Sequence, residues 1–282
     1  MARYASISDH GLIGDLQTAA LVTTDGTWTG SAVRGSTPPS VFASLVDADK
    51  GGHFRIAPDR DDFVSRQLYL PGTAILITRF MTPDGVGEVR DFMPVITGKA
   101  AERHRLVRVL TVPRGTMRFA MDLQPRFDYG RQAHTLTISD RGAMFEEEGS
   151  GGIRLTLHTV GRGGAGNGDG EGVQVRNQGD GLQATWTLGQ GEATGVVLES
   201  MGGQPRRLAP SELARMFDTT SLFWHNWLNR PTCTGRWREI VSRSAVTLKL
   251  MTYAPTGAPV AAPTAGLPGQ IGGERNWDYR YT

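Results

Sequence analysis

Residues 69–95 read YLPGTAILITRFMTPDGVGEVRDFMPV, two apolar runs on either side of Pro83-Asp84-Gly85. In the first run Ala74, Leu76 and Thr78 alternate with Ile75, Ile77 and Arg79, a pattern that suits a strand covered largely on both faces. After the turn, Gly87-Glu88-Val89-Arg90-Asp91-Phe92-Met93 alternates as a second hairpin arm should. The stretch therefore predicts an antiparallel hairpin, and its neighbours repeat the theme.

Upstream, LIGDLQTAALVTTDG (12–26) ends in Asp25-Gly26, a strong turn signal. Downstream come RLVRVLTV (105–112), TMRFAMDLQPRF (116–127), TLTISD (135–140), IRLTLHTV (153–160), LQATWTL (182–188) and ATGVVLES (193–200). Strands at this spacing with polar turns predict a mainly β protein, a large antiparallel sandwich, and not alternating β–α units. The glycine-rich stretch GRGGAGNGDGEG (161–172) reads as a flexible hairpin loop. No strand-to-helix transition follows it, so its glycines do not make a nucleotide site.

The pattern changes near residue 209. Pro210-Ser211-Glu212 opens a helix, with Ser211 as its candidate N-cap. Leu213, Phe217, Thr220, Trp224, Trp227 and Leu228 then recur at helical spacing, and Pro231 closes the run. A second helix starts near Gly235. Trp237, Ile240, Val241, Ser244, Leu248 and Met251 share one face, with Arg236, Arg238, Glu239 and Arg243 mostly off it. The division expected is 1–208 for the sandwich, 209–230 for a linker helix and 231–282 for the start of a further unit.

Composition narrows the function. With 21% charged and 39% apolar residues and a net charge of +2, the chain reads as soluble and globular. Its 30 basic residues are dispersed, so no nucleic-acid partner is expected. The densest early cluster, His104 to Arg108, alternates with apolar residues and reads as a half-buried strand. Cys233 is the single cysteine, which excludes an intrachain disulfide and a cysteine-based metal site and fits a reducing, cytoplasmic setting. No signal peptide or membrane span is expected. His53, His104 and His225 stand singly, so no metal and no cofactor is expected.

Several long motifs carry a family resemblance. GRWREIVSRSAVTLKLMTYAPTGAPVAAPT (235–264) and LPGQIGGERNWDYRY (267–281) are similar to the segment joining the two domains of bacterial family 15 glycoside hydrolases. That family includes glucoamylases, glucodextranases and the bacterial and mycobacterial trehalases. DHGLIGDLQTAALVTTDG (9–26), PSVFASLVDADKGGHFRIAP (39–58), DFMPV (91–95) and PRFDYGR (125–131) resemble its N-terminal domain. The resemblance implies a β-super-sandwich, a helical linker and the first helix of a truncated (α/α)6 barrel. It also implies inverting hydrolysis of an α-glucosidic bond, by two carboxyl groups about 6.5–9.5 Å apart on opposite sides of the sugar.

In the family both catalytic glutamates lie deep in the barrel, at positions that would fall beyond Thr282. No catalytic residue is therefore expected within this chain, and alone it is expected to be inactive. The resemblance also puts the Arg-Asp pair that grips the first glucose just past Thr282. By the same resemblance Tyr279 is a stacking wall for that glucose, with Trp277 and Arg280 beside it. Glu274, Asp278 and Glu239 are the carboxylates nearest the barrel start, and nothing in their spacing makes an opposed pair. The expected substrate of the full-length relative is trehalose or an α-glucan. The competing reading is a non-catalytic module that binds carbohydrate or docks a barrel-bearing partner. The Trp237/Leu248 face predicts an open apolar patch and self-association.

One segment departs from the family text. Between Gly26 and Ser40 the pattern is close to G-T-V-D-W-L-C-R-P-R-F-D-S-P, whereas this chain reads GTWTGSAVRGSTPP. A GC-rich coding of the family text, read after loss of its first base, returns WTGSAVRGSTP, residues 28–38. A paired frame slip near Thr27 and Pro38 is expected, with loss of large apolar side chains from a buried hairpin arm. Resequencing the coding DNA tests the slip. A second departure is Ala265-Gly266-Leu267-Pro268-Gly269 where the family tends to T-S-L-P-E.

Overall fold

The computed structural model describes residues 4–33, 41–96, 103–149, 152–163, 175–229, 234–261 and 263. The strands are β1 (His10–Gly14), β2 (Thr18–Thr23), β3 (Thr27–Val33), β4 (His53–Pro58), β5 (Val64–Tyr69), β6 (Leu76–Thr82), β7 (Gly85–Phe92) and β8 (Arg105–Gln124). They continue as β9 (His134–Ser139), β10 (Gly142–Glu147), β11 (Arg154–Val160), β12 (Arg176–Gln178), β13 (Gly181–Gly189), β14 (Ala193–Ser200) and β15 (Arg207–Leu208). Helices α1 (Pro210–Leu228) and α2 (Arg238–Leu250) follow.

The hairpin of residues 69–95 forms as β6 and β7, paired from Leu76↔Asp91 to Thr82↔Gly85. Two sheets face each other, and β8 belongs to both. Its first half lies between β7 and β14, and its second half between β4 and β13. The sequence reads this strand as two. Pro113-Arg114-Gly115 bends it without ending it. Proline gives no N–H to a ladder, and Gly115 takes a φ of +72° with its α-carbon against Asp84. A register shift in β7 between Val86 and Glu88 accompanies the bend.

The two halves of β8 differ as their sequences do. In the first half Leu106, Leu110 and Val112 enter the core between the sheets, while Val107 and Val109 pack on the opposite face with Leu213 of α1. Both faces are covered, so the run is almost continuously apolar. In the second half Met117, Phe119, Met121 and Leu123 point into the core and Arg118 points out. One face meets water, so the sequence alternates.

Helix α1 lies on the outer face of the β7–β8–β14 sheet, with Phe217 set edge-on to Phe92 at 5.8 Å. Its N-cap corrects the sequence reading. Ala209 holds that position, with extended φ/ψ, and Pro210 is the first helical residue. The Glu212 carboxylate at the third position accepts the Ala209 amide at 3.0 Å, the half of a capping box that needs no side chain at the cap. The far end is fixed by Trp224, fully buried among Leu16, Ala74, Val246 and Leu250. Helix α2 therefore packs on α1 and on the β1–β2 turn, where the Ala254 amide donates to the Leu16 carbonyl at 2.9 Å.

Candidate functional site

Acid–base hydrolysis needs carboxyl groups that face open space and can hold or release a proton. Four buried carboxylates are found among the described residues, and each is committed to partners. Asp15 accepts the Gln17 and Thr18 amides at 2.9 and 2.6 Å and lies 2.6 Å from His104 Nδ1. Glu88 sits between Arg79 and Arg90 at 2.7 and 3.0 Å. Asp91 pairs with Arg108 at 2.8 Å. Glu199 lies 2.7 Å from Arg105 and 3.1 Å from His158 Nε2. The basic cluster at 104–108 is thereby explained: each of its three basic side chains faces a carboxylate, and the strand, expected to be half-buried, is covered on both faces.

The Glu199 site shows how such a group is held. The His158 Nδ1 accepts the Arg206 amide at 3.2 Å, so Nε2 carries the proton that it donates to Glu199. That hydrogen bond outweighs burial and, joined by Arg105, holds the carboxyl at about 2 instead of 4.5. A folded value below the unfolded one adds stability that is present above pH 4.5 and is lost as pH falls toward about 2. Urea midpoints measured across that window should fall for the native chain and fall less steeply for Glu199→Gln.

The sequence-derived sugar contacts, Tyr279, Trp277 and Arg280, lie outside the described residues, as do Glu274 and Asp278. Thr282, the position past which the resemblance puts the catalytic glutamates, lies outside them too. Glu239 is in the first turn of α2 and exposed. His53 lies 3.0 Å from Asp122, and His225 Nε2 is 3.1 Å from the Pro71 carbonyl oxygen. Among the described residues no three His, Cys, Asp or Glu side chains gather around one point. No helix among them is long and apolar enough to cross a membrane.

What the structure does assemble near the expected barrel start is a two-faced helix. The inner face of α2 is Val246 and Leu250, held by Arg243. The Arg243 guanidinium donates to the Thr73 carbonyl at 2.9 Å and lies 3.9 Å above the Tyr69 ring. Burial lowers the Arg243 pKa and raises that of Tyr69, whose hydroxyl bridges the amide and carbonyl of Leu12 at 2.7 and 3.0 Å. The outer face carries Trp237, 59% exposed, with Ile240, Val241 and Leu248, the last 68% exposed. The apolar stripe read from the sequence is thus the outward one. Sequence reasoning missed Arg243, which it left off the packed face. The spacing Arg243, Val246, Leu250 was the available signal, because i, i+3 and i+7 share a helix face.

A family model described as trehalase-like, N-terminal matches residues 2–150. The trehalase of Mycolicibacterium smegmatis is 31% identical over 302 residues, covering 99% of this chain and 43% of that protein. The trehalase of Thermoplasma volcanium is 31% identical over 286 residues, again 99% of this chain and 43% of the relative. A bacterial glucoamylase solved with acarbose superposes with a TM-score of 0.55 at 10% identity, covering 92% of this chain and 43% of its own. At that identity the likeness is one of fold. The chain spans about two-fifths of the length of the relatives that it matches.

Proposed function

The chain belongs to the trehalase-like N-terminal family, and from that membership we propose that its 282 residues form the non-catalytic front of an inverting α-glucosidase of the trehalase or glucoamylase type. In this reading residues 1–208 are the sandwich, 209–230 the linker and 231–282 the beginning of the catalytic (α/α)6 barrel. The start of α1 at Pro210 supports the first division. The whole enzyme would hydrolyse trehalose or an α-glucan. The protein would work in a reducing compartment, in keeping with a single cysteine.

The observation that carries the reading is the commitment of Glu88, Asp91 and Glu199 to arginine side chains and of Asp15 to His104 and two backbone amides. A carboxyl held at about 2, as that of Glu199 is, cannot protonate a leaving oxygen near neutral pH, and the oxygens of Glu88 and Asp91 are taken up by guanidinium groups. The 282-residue chain is therefore expected to release no glucose from trehalose or maltose, while a version carrying a catalytic barrel releases it. Glucose formed by the purified chain at a rate that follows its concentration would overturn the reading.

The outer face of α2 favours docking as the role of this part. Trp237, Ile240, Val241 and Leu248 form an apolar surface of the kind that a neighbouring unit covers. A barrel is the occupant the family resemblance implies. Where no barrel is present, two copies of the chain would cover the same face.

A further inference from the structure

A second feature is built on β3 and β4. Their core-facing residues are Trp28, Phe54 and Ile56, so Thr29, His53 and Arg55 project from the outer face. The loop at residues 43–50 folds back over that face. The Leu45 amide donates to the Thr29 carbonyl at 3.1 Å, and the Ser44 hydroxyl donates to the same oxygen at 3.0 Å. Tyr4 crosses the mouth, its hydroxyl accepting the Ala48 amide at 3.4 Å. The result is a cleft of about 260 Å³ lined by Tyr4, His10, Asp25, Thr29, His53 and Arg55 among others.

Its polar groups are fixed in place but not enclosed. His10 is held at both nitrogens, Nδ1 donating to the Ser6 carbonyl at 2.8 Å and Nε2 hydrogen-bonded to the Thr29 hydroxyl at 3.0 Å. Asp25 accepts the Thr23 hydroxyl and, at 3.2 Å, the Thr27 amide, and lies 3.6 Å from Arg55. About half of the Asp25 side chain and a third of the Arg55 side chain remain open to solvent. Asp122, next to His53 at 3.0 Å, is a second carboxylate at the edge. One permanent cation thus faces two carboxylates, so the cleft does not attract an anion. It offers a carboxylate and a guanidinium side by side, with the exposed ring of Tyr4 at the rim. Carboxylate oxygens accept and guanidinium N–H groups donate, which matches adjacent hydroxyls, and an aromatic ring matches the C–H face of a pyranose.

We propose that this cleft is a binding subsite for one ring of a neutral sugar, with Asp25 and Arg55 gripping vicinal hydroxyls and Tyr4 covering the ring face. The choice of an α-glucoside as the natural ligand rests on the function proposed above. The site binds without reacting, since its carboxylates are not opposed across a bond. It would hold an α-glucan or disaccharide against the sandwich.

The test is amide NMR on the isotopically labelled 282-residue chain, titrated separately with maltose, trehalose, cellobiose and inorganic phosphate. Saturable shifts at Asp25, Thr29 and Arg55 are expected with maltose or trehalose, and none with phosphate. Arg55→Met should weaken the affinity about tenfold or more. Tyr4→Ala removes an exposed side chain, so it should weaken binding with the rest of the spectrum unchanged. Absence of saturable shifts with every sugar at roughly 50 mM, well above the millimolar range that a few hydrogen bonds support, would overturn the site. A stronger response to phosphate would overturn its neutral-ligand chemistry. Equal shifts with cellobiose would keep the sugar subsite and overturn its link to α-glucosides, a failure separate from glucose release by the chain.

Discussion

Arg108→Met is expected to lower the unfolding free energy by about 3–5 kcal/mol, read as a shift of the urea midpoint at unchanged slope. Arg108 is 0% exposed and sits near the start of β8, on the side that faces the opposite sheet. Its guanidinium ties four acceptors together. Within its own sheet it meets Asp91 on β7, at 2.8 and 3.1 Å. Across the core it donates to the carbonyls of Phe54 at 2.6 Å and Gly26 at 2.7 Å, and lies 4.7 Å from the Phe54 ring centroid. Methionine keeps much of the volume but none of the donors. Asp91, also 0% exposed, would be left as an uncompensated buried charge, and two carbonyls would lose partners. The double variant Arg108→Met with Asp91→Leu should recover part of the loss, because removing both charges of a buried pair is far cheaper than removing one. A single variant with a native midpoint would refute this role of Arg108.

The same residue marks what could be read from sequence and what could not. Alternation identified 104–108 as strand and not as a phosphate site, which the pairing of β8 with β7 and β14 supports. It could not place Arg108 between the sheets. The carboxylate that makes burial tolerable is 17 residues away in β7, and the two carbonyls belong to β4 of the other sheet and to the turn between β2 and β3. Periodicity reports which faces are covered, not what covers them. That limit explains α2 as well. Its apolar stripe was visible, but a stripe packs inward only if something lies there, and Val246 and Leu250 claimed the inner face. Residues 105–112 and 116–127 read as two strands because Pro113 and Gly115 usually punctuate; inside a sandwich they mark the point where one strand passes between sheets. The sugar contacts came from resemblance alone and fall on 277–280, outside the described residues. The expectation that the catalytic glutamates lie past Thr282 has the same source, because no periodicity within a chain reports on residues beyond it. The cleft had no sequence signal. Tyr4, His10, Asp25 and Arg55 come from four separate places and meet only because β1 to β4 are neighbours.

Trp28→Ala should cost about 3–5 kcal/mol, the range for removing a large aromatic side chain from a packed core. The position matters because residues 28–38 depart from the family text. The sequence reading expected a hairpin arm emptied of large apolar side chains there. For residues 28–30, whose side chains are described, the structure shows how the arm is filled. Trp28 is 6% exposed and stacks on Phe42 with centroids 4.6 Å apart, and its indole N–H donates to the Gly30 carbonyl at 2.6 Å. Strand β3 pairs with β2 through a register shift between Leu21 and Val22, and Trp28 lies opposite Val22 and Phe54. One indole thus occupies core volume next to Phe42 and Phe54, whatever the history of its codon. The substitution that restores the family residue, Trp28→Val, removes the stacking partner of Phe42 and should still destabilise, by about 2–4 kcal/mol. A slip in the reading frame is a statement about DNA, and sequencing decides it. Whether the fold has adopted the altered text is a statement about packing, and the melt decides it. A loss under about 1 kcal/mol for Trp28→Ala would mean that the indole is not part of the core and that the arm stands as empty as the sequence implied.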